Sequence, residues 1–436
     1  MPRSGRTASP RASGPPVAVF DLELPTGVAF ARSLARAGIP IVAGSTHKRP
    51  AGGFSRYVRG VVHCPPIERA DEFVDWLEDQ HQRGSFELVA PTSDFVSFAC
   101  AEVTDRRPGF LGVGTSSERV RTCLFKDRFA AAMTEIGFPV PEWAAPSTAA
   151  EALADADRLG YPVLLKPRSH AGIGTARGRV ATTPEALGEL FRPYPVDSDR
   201  SLAVARDPSL ALPMLQRYHV PGSVDVVSLS GCLDPDGQLL ALSHCRKLGQ
   251  WPRRLGVGTM FEPAPPAAFT PEALTAVRSV LGSGLFELEV LVERTTGEHW
   301  AIDLNPRAFG QISLDIALGN DLPVVWYDSV TGRDSARSPA RRRAPRYWQH
   351  ALPTHIETAV RVATGPDRLA RSRLAVTRAV QPHVGAMFDV RDPLPGMVFG
   401  LRILRHPRRL VRTMTRDIEA PPAASAPIAV TDADAS

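Results

Sequence analysis

From Leu285 to Arg307 the chain reads LFELEVLVERTTGEHWAIDLNPR, and this segment constrains the fold more than any other. Apolar and acidic residues alternate with a period of two, so Phe286, Leu288, Val290 and Val292 share one face of a strand. Glu287, Glu289 and Glu293 share the other face, with Leu291. Thr295-Thr296-Gly297 is turn chemistry, and His299 to Leu304 resumes an apolar strand pattern. A hairpin closed symmetrically about Thr296 sets Glu289 opposite Asp303 and Glu287 opposite Asn305. Like charges opposed across a ladder destabilise it. A bound hard cation reverses that penalty, because Mg²⁺ takes carboxylate oxygens together with substrate phosphates. Asp303 and Asn305 interrupt an otherwise apolar strand, and Pro306 holds the residue before it extended. Arg307 therefore emerges just past the strand end. The segment predicts a metal–phosphate site; the alternative is a solvent-facing hairpin with an acidic outer face.

A chain of 436 residues is too long for one ordinary core, and two or three domains are expected. The net charge of +5 is unevenly spread: arginines concentrate late, at Arg341, Arg342 and Arg343, then Arg405, Arg408, Arg409 and Arg412. Such a region meets nucleic acid, anionic lipid or an acidic substrate, or is simply a solvated arginine-rich surface. Cys64, Cys100, Cys123, Cys232 and Cys245 are scattered without metal-binding spacing and read as small buried residues of a reducing compartment. The first sixteen residues are rich in Arg, Ser and Pro and lack an apolar core, so they read as a disordered extension rather than a secretory signal. No run approaches the roughly 18 to 20 apolar residues of a membrane span. The expectation is a cytoplasmic protein without a membrane or nucleic-acid partner.

Val17 to Phe20, Val28 to Ala37 with Gly38 as a stop, and Ile39 to Ala43 read as strand, helix and strand, with Pro25-Thr26-Gly27 as a turn. This β-α-β unit opens a parallel α/β sheet. A helix from Asp71 to Arg83 and a strand from Glu87 to Ala90 continue it, and Pro91-Thr92-Ser93-Asp94 follows that strand. Open α/β sheets place ligands at such ends, although an Asx-turn or helix cap explains Asp94 equally well. No G-x-G-x-x-G follows the first strand. A boundary is expected near 112–117, then helices at 118–136 and 149–159, a strand at 161–166, an irregular stretch at 191–212, and strands at 224–229 and 239–243. Trp251 and Trp326 read as core or pocket-wall aromatics.

Lys166 ends the strand YPVLLK and leads into the glycine-bearing loop PRSHAGIGTARG. Small residues let backbone N–H groups approach an anion, and the ammonium adds charge. The loop lacks the Walker pattern. What distinguishes it is order: Lys126, then Lys166 with its loop, a Pro221-Gly222 turn with Asp225, the pair Arg246-Lys247, and the acidic hairpin ending in Asn305-Pro306-Arg307. In that order, and in the segments HCRKLGQWPRRLGVGT and FELEV…IDLNPR, residues 17–330 resemble the ATP-grasp superfamily, particularly the branch of the carbamoyl-phosphate synthetase large subunit and related carboxylate–amine ligases.

The resemblance implies a Rossmann-like parallel α/β domain at 17–115 and a two-lobed ATP-grasp domain at 116–325; composition adds a basic region at 326–415 and disordered tails at 1–16 and 416–436. It implies ATP and Mg²⁺ (or Mn²⁺) as cofactors. Lys126 and Lys166 would contact the phosphates, and Ser169, Gly172, Gly174 and Thr175 would belong to a lid over them. Gln216 and Tyr218 would line the adenine pocket, and Asp225 would approach the ribose or the lid. Glu289, Asp303 and Asn305 would hold the metal. Arg307 would face the transferred phosphoryl group, and Arg246 and Lys247 would neutralise a carboxylate or an acyl phosphate. The implied reaction joins a small-molecule carboxylate to an amine, or to a thiol. The chain departs from the family at the hinge, where Gln216-Arg217-Tyr218-His219 carries no acid, and in having Asp303 where the family has Glu. Two other readings stand beside the ligase: an ATP-binding sensor without turnover, and a nucleic-acid-binding protein using the basic C-terminal region. A homodimer is the default assembly.

Overall fold

The computed structural model describes residues 14–107, 109–110, 112, 114–173, 178–195, 201–251, 255–333, 345–351, 354–355 and 381–405. Gly174, Thr175, the arginines at 341–343, 408, 409 and 412, and nearly all of both tails lie outside these residues.

The N-terminal sheet is parallel, with strands Val61–His63, Ile41–Ser45, Val17–Val19 and Leu88–Val89 in that spatial order. Its first helix runs Pro25–Arg36, so the expected turn is instead the first helical turn. Proline suits that position, where its missing N–H has no helical partner to lose. Gly27 is needed because a Cβ there would lie 2.2 Å from the Phe20 carbonyl oxygen. Helices Ala70–Gln82 and Asp94–Arg106 complete the unit, the latter capped by Ser93, whose Oγ accepts from the Val96 N–H at 3.3 Å.

The helix expected over 118–136 is two helices, Ser117–Leu124 and Lys126–Glu135, broken at an extended Phe125. Lys126 donates its backbone N–H to the Arg168 carbonyl at 2.7 Å, a bond outside the helix that directs this lysine toward the Lys166 strand. A small antiparallel sheet follows: Trp143–Ala144, Pro213–Arg217, Val163–Pro167 and Arg179–Ala181. Helix Ala149–Leu159 covers it through Ala152, Ala156 and Leu159, which form a separate core with Val163, Leu165 and Leu215. The stretch expected to be irregular carries a helix at Leu202–Arg206 and a 3-10 turn at Pro208–Ala211, capped by Ser201 and Asp207.

Among the described residues the large sheet has seven strands, in the order His299–Asn305, Gly284–Glu293, Val224–Leu233, Leu239–Trp251, Val257–Pro263, Tyr347–Gln349 and His383–Gly385. The strands from 224 and 239 run further than their patterns suggest, and the strand at Val257–Pro263 was not foreseen. The region after 326 is continuous with this sheet, contributing its last two strands. Helix Thr270–Val280 and helix Lys126–Glu135 cover one face through Ala273, Val277, Phe129 and Met133 against Leu288, Val290 and Leu304. Helix Leu322–Thr331 joins the sheet to the N-terminal domain: Trp326 is fully buried with its ring 5.8 Å from that of Phe30. Burying one such aromatic stabilises by about 3 kcal/mol, so the two units share a core rather than merely touching. All five cysteines are buried and unpaired, and burial raises their thiols well above the ordinary value.

Candidate ATP and metal site

The hairpin register is the one the alternation predicts, with Glu287 opposite Asn305 and Glu289 opposite Asp303. It is reached by a different route. Near the turn Val292 pairs with His299, one residue away from symmetric closure, and Ile302 is then left over as a bulge between Asp303 and Ala301. The bulge restores the acidic pairing and frees a carbonyl. Lys166 donates from Nζ to that Ile302 oxygen at 3.0 Å.

The neighbouring strands decide which other side chains share the acidic face. Glu289 pairs with Ser228, which pairs with Cys245, so Lys247, two residues on, lies on the same face. Lys247 donates from Nζ to Glu289 Oε1 at 3.0 Å. Arg246 is opposite Val227 and behind Val290, on the other face. There it donates to Glu262 at 2.8 Å from Nε, and Asp225, bonded to Arg294 at 2.6 Å, lies 3.6 Å away. The structure thus separates the Arg246-Lys247 pair and takes Asp225 away from the acids.

Lys126 arrives from the other side, its buried Nζ 2.5 Å from Asp303 Oδ2. Burial alone raises a carboxyl, but Lys126 and Lys166 beside Asp303 hold it down at about 2. Burial and the Lys126 charge together lower Lys166 to about 8. Burial also works against the charge on Lys247, yet the Glu289 carboxylate and its hydrogen bond lift that lysine above its ordinary value. Each acid of the pair therefore faces a lysine.

Arg307 follows the strand and is fixed from three directions. Its Nε donates to Asp94 of the N-terminal domain, Nη1 to its neighbour Ala308 O at 2.8 Å and Nη2 to Asn305 Oδ1 at 2.9 Å. Asn305 in turn donates from Nδ2 to Glu287 at 3.1 Å, and Gln311 donates to the other Glu287 oxygen. Burial, then the nearby Glu289, raise Glu287 to about 7. Asp315, buried with Ser230 Oγ 3.0 Å away, is likewise raised to about 7 by burial. Asp94, Gln311 and Asp315 were not expected in this network. The only signal for Asp94 was its place after a parallel strand, and Gln311 and Asp315 had none.

Ser169 is fully buried with no hydrogen-bond partner on its Oγ, and Gly172 lies in the short helix His170–Ile173 that follows. Gln216 is buried in the strand Pro213–Arg217, and Tyr218 lies half-buried just past its end. The hinge lacks an acid of its own, yet Glu142 pairs with Arg217 there at 3.0 Å.

Glu289 and Asp303 present hard oxygen donors side by side, and Asp303 is held ionised, so a divalent ion fits this pair. Asn305 fits less directly, since Arg307 and Glu287 occupy both ends of its amide. Among the described residues no three His, Cys, Asp or Glu side chains gather into a cage. An ion here would take its remaining ligands from phosphates, as Mg²⁺ does in nucleotide sites.

Residues 126–204 match the family described as carbamoyl-phosphate synthase L chain, ATP binding domain. Among solved structures, biotin carboxylase of Campylobacter jejuni in its β,γ-ATP complex aligns with a TM-score of 0.58 at 16% identity, over 74% of this chain and 72% of that one. The biotin carboxylase domain dimer of Hydrogenobacter thermophilus 2-oxoglutarate carboxylase, in complex with MgADP, ADP and bicarbonate, aligns at 0.57 and 17% identity, over 76% and 73%. N5-carboxyaminoimidazole synthetase of Staphylococcus aureus complexed with ADP aligns at 0.54 and 12% identity, over 74% and 78%. The segment carrying Lys126 and Lys166, the small antiparallel sheet and large sheet that follow the N-terminal parallel sheet, and these likenesses agree: this chain has the ATP-grasp fold.

Proposed function

We propose that this protein is an ATP- and Mg²⁺-dependent ligase that activates a small carboxylate as an acyl phosphate and transfers it to an amine. One observation carries the reading. Glu289 and Asp303 stand opposite each other in register, each against a lysine, with Lys166 at the intervening bulge. A folded protein has no packing reason to bury this arrangement, since taking two charges out of water costs several kcal/mol per ion before pairing. A polyanion and a cation together give every one of these groups a partner.

In this mechanism Lys126 and Lys166 bind ATP phosphates, and the metal would offset their charge from Glu289 and Asp303. Catalysis of phosphoryl transfer is mainly positioning and electrostatic stabilisation. Arg307 is oriented by Asp94 and Asn305 before substrate arrives, and so needs no reorganisation as charge moves to the transferred group. The substrate carboxylate attacks the γ-phosphorus, ADP leaves, and an amine then displaces phosphate to form the amide. Lys247, on the acidic face beside Glu289, would neutralise the developing acyl phosphate. A thiol in place of the amine gives a thioester by the same first step.

The test is ADP release by the purified protein with Mg²⁺-ATP across pooled amino acids and small carboxylates, with Asp303→Ala in parallel. The expected result is acid-dependent release that vanishes in the variant. ATP binding by calorimetry with no release on any acid would favour the sensor reading. No ATP binding at all would end the proposal.

A further inference from the structure

The approach to the C-terminal helix Leu394–Leu404 and the helix itself hold six of the twelve exposed large hydrophobic residues among those described. Phe388 and Val390 precede the helix, 49% and 83% exposed. Leu394, Met397, Leu401 and Leu404 recur at spacings of three and four, which places them on one stripe, and each is at least half exposed. The segment is not loosely attached. Asp392 accepts from Arg32 Nε at 2.7 Å and Ser55 Oγ at 2.6 Å, and Asp389 pairs with Arg36 at 2.7 Å. Val398 and Phe399 pack against Val28, Ala51 and Met387 of the underlying core. One side of the helix is therefore anchored and the opposite side is presented outward, fully apolar.

Charge says what covers it. From Pro393 to Arg416 the chain has no Asp or Glu and six arginines: Arg402, Arg405, Arg408, Arg409, Arg412 and Arg416. Arg402 is held by Glu23 at 2.7 Å, while Arg405 is exposed four residues after Leu401, beside the stripe. A second copy meeting this face about a two-fold axis would set the exposed Arg405 of each copy against the same basic segment. A nucleic acid has use for the arginines and none for the leucines. An anionic bilayer surface takes both, since apolar side chains enter the acyl boundary while basic residues meet the headgroups.

We propose that the face formed by Leu394, Met397, Leu401 and Leu404 docks the protein on an anionic lipid surface. The expectation of no membrane partner rested on the absence of a spanning run, and peripheral docking needs none. No described helix is long and apolar enough to cross a membrane, so the attachment is from one side and reversible. The inference is independent of the ligase reading.

The experiment is co-sedimentation of the full chain with vesicles of phosphatidylcholine alone or with about one third phosphatidylglycerol. Binding is expected on the anionic vesicles and at least about tenfold weaker on the neutral ones. Met397→Glu with Leu401→Glu should weaken binding at least about tenfold, as should Arg405→Gln with Arg408→Gln and Arg409→Gln. Val390→Glu, on an exposed residue outside the helix, should weaken it as well without touching the fold. Circular dichroism and nucleotide binding of each variant verify folding. Wild-type protein that ignores anionic vesicles overturns the proposal. So does vesicle binding that survives the apolar substitutions, and so does a dimer that Leu401→Glu dissolves in a protein without lipid affinity.

Discussion

Asp303→Asn tests the electrostatic logic of the site most directly. The wild-type carboxyl titrates at about 2 instead of 3.8, because Lys126 and Lys166 more than offset its burial. Each pH unit of such a difference is about 1.4 kcal/mol, so the ionised group contributes about 2 kcal/mol to the folded state at neutral pH. The sign follows from a lowered value: the contribution is complete above pH 3.8 and disappears as the pH falls toward 2. Asparagine keeps the shape and one acceptor oxygen but removes the charge, leaving the Lys126 ammonium, 6% exposed, without its counter-ion. Asp303→Asn should therefore lose about 2 kcal/mol in denaturant unfolding at pH 7 and show no deficit near pH 2. Adding Lys126→Met should recover part of the loss, with a coupling of about 1 to 3 kcal/mol in the double-mutant cycle. On activity the two substitutions should not rescue each other, and Mg²⁺-dependent ADP release should fall about 10²- to 10³-fold in each. Additive stability losses, or ADP release within tenfold of wild type in Asp303→Asn, would refute the reasoning.

Three further outcomes follow from the same geometry. Lys166, held at about 8 in the free protein, should gain a proton when phosphates bind, so nucleotide affinity declines as pH rises through 8; calorimetry in buffers of different ionisation heat detects the uptake, and Lys166→Arg should abolish the pH dependence. Arg246→Gln should change ADP release by less than about threefold, as expected for an exposed ion pair worth under about 1 kcal/mol, whereas Lys247→Gln should reduce it at least about a hundredfold. Glu287, raised to about 7, is neutral in the fold at pH 5 and costs stability once ionised, so Glu287→Gln should melt higher than wild type at pH 8 and about equally at pH 5, read by calorimetric scans.

The acidic hairpin was legible because one face of each strand is buried, which fixes a period of two and leaves register almost no freedom. The break at Phe125 was not. A helix pattern runs across Val120, Leu124, Phe129 and Met133, and the Arg168 carbonyl, just past the end of the distant strand Val163–Pro167, takes the Lys126 N–H instead. The strands beyond 326 were hidden for another reason. Three-residue strands such as Tyr347–Gln349 form only because a prepared edge at Met260 and Phe261 accepts them.

By itself the sequence determined the local matters: an alternating hairpin that opposes Glu289 to Asp303, a parallel α/β start, a lysine at a strand end before a glycine-bearing loop. These depend on side-chain period and turn chemistry over a few residues. Only the tertiary structure decided which charges meet. Lys126 is 177 positions from Asp303, and Arg307 is 213 positions from Asp94. Whether Arg246 or Lys247 faces the acids depends on the ladder to a third strand, and whether the leucines of the last helix are core or surface depends on what packs beneath it. Pair energies depend on distance through space, and the chain order does not contain that distance until the sheets have assembled.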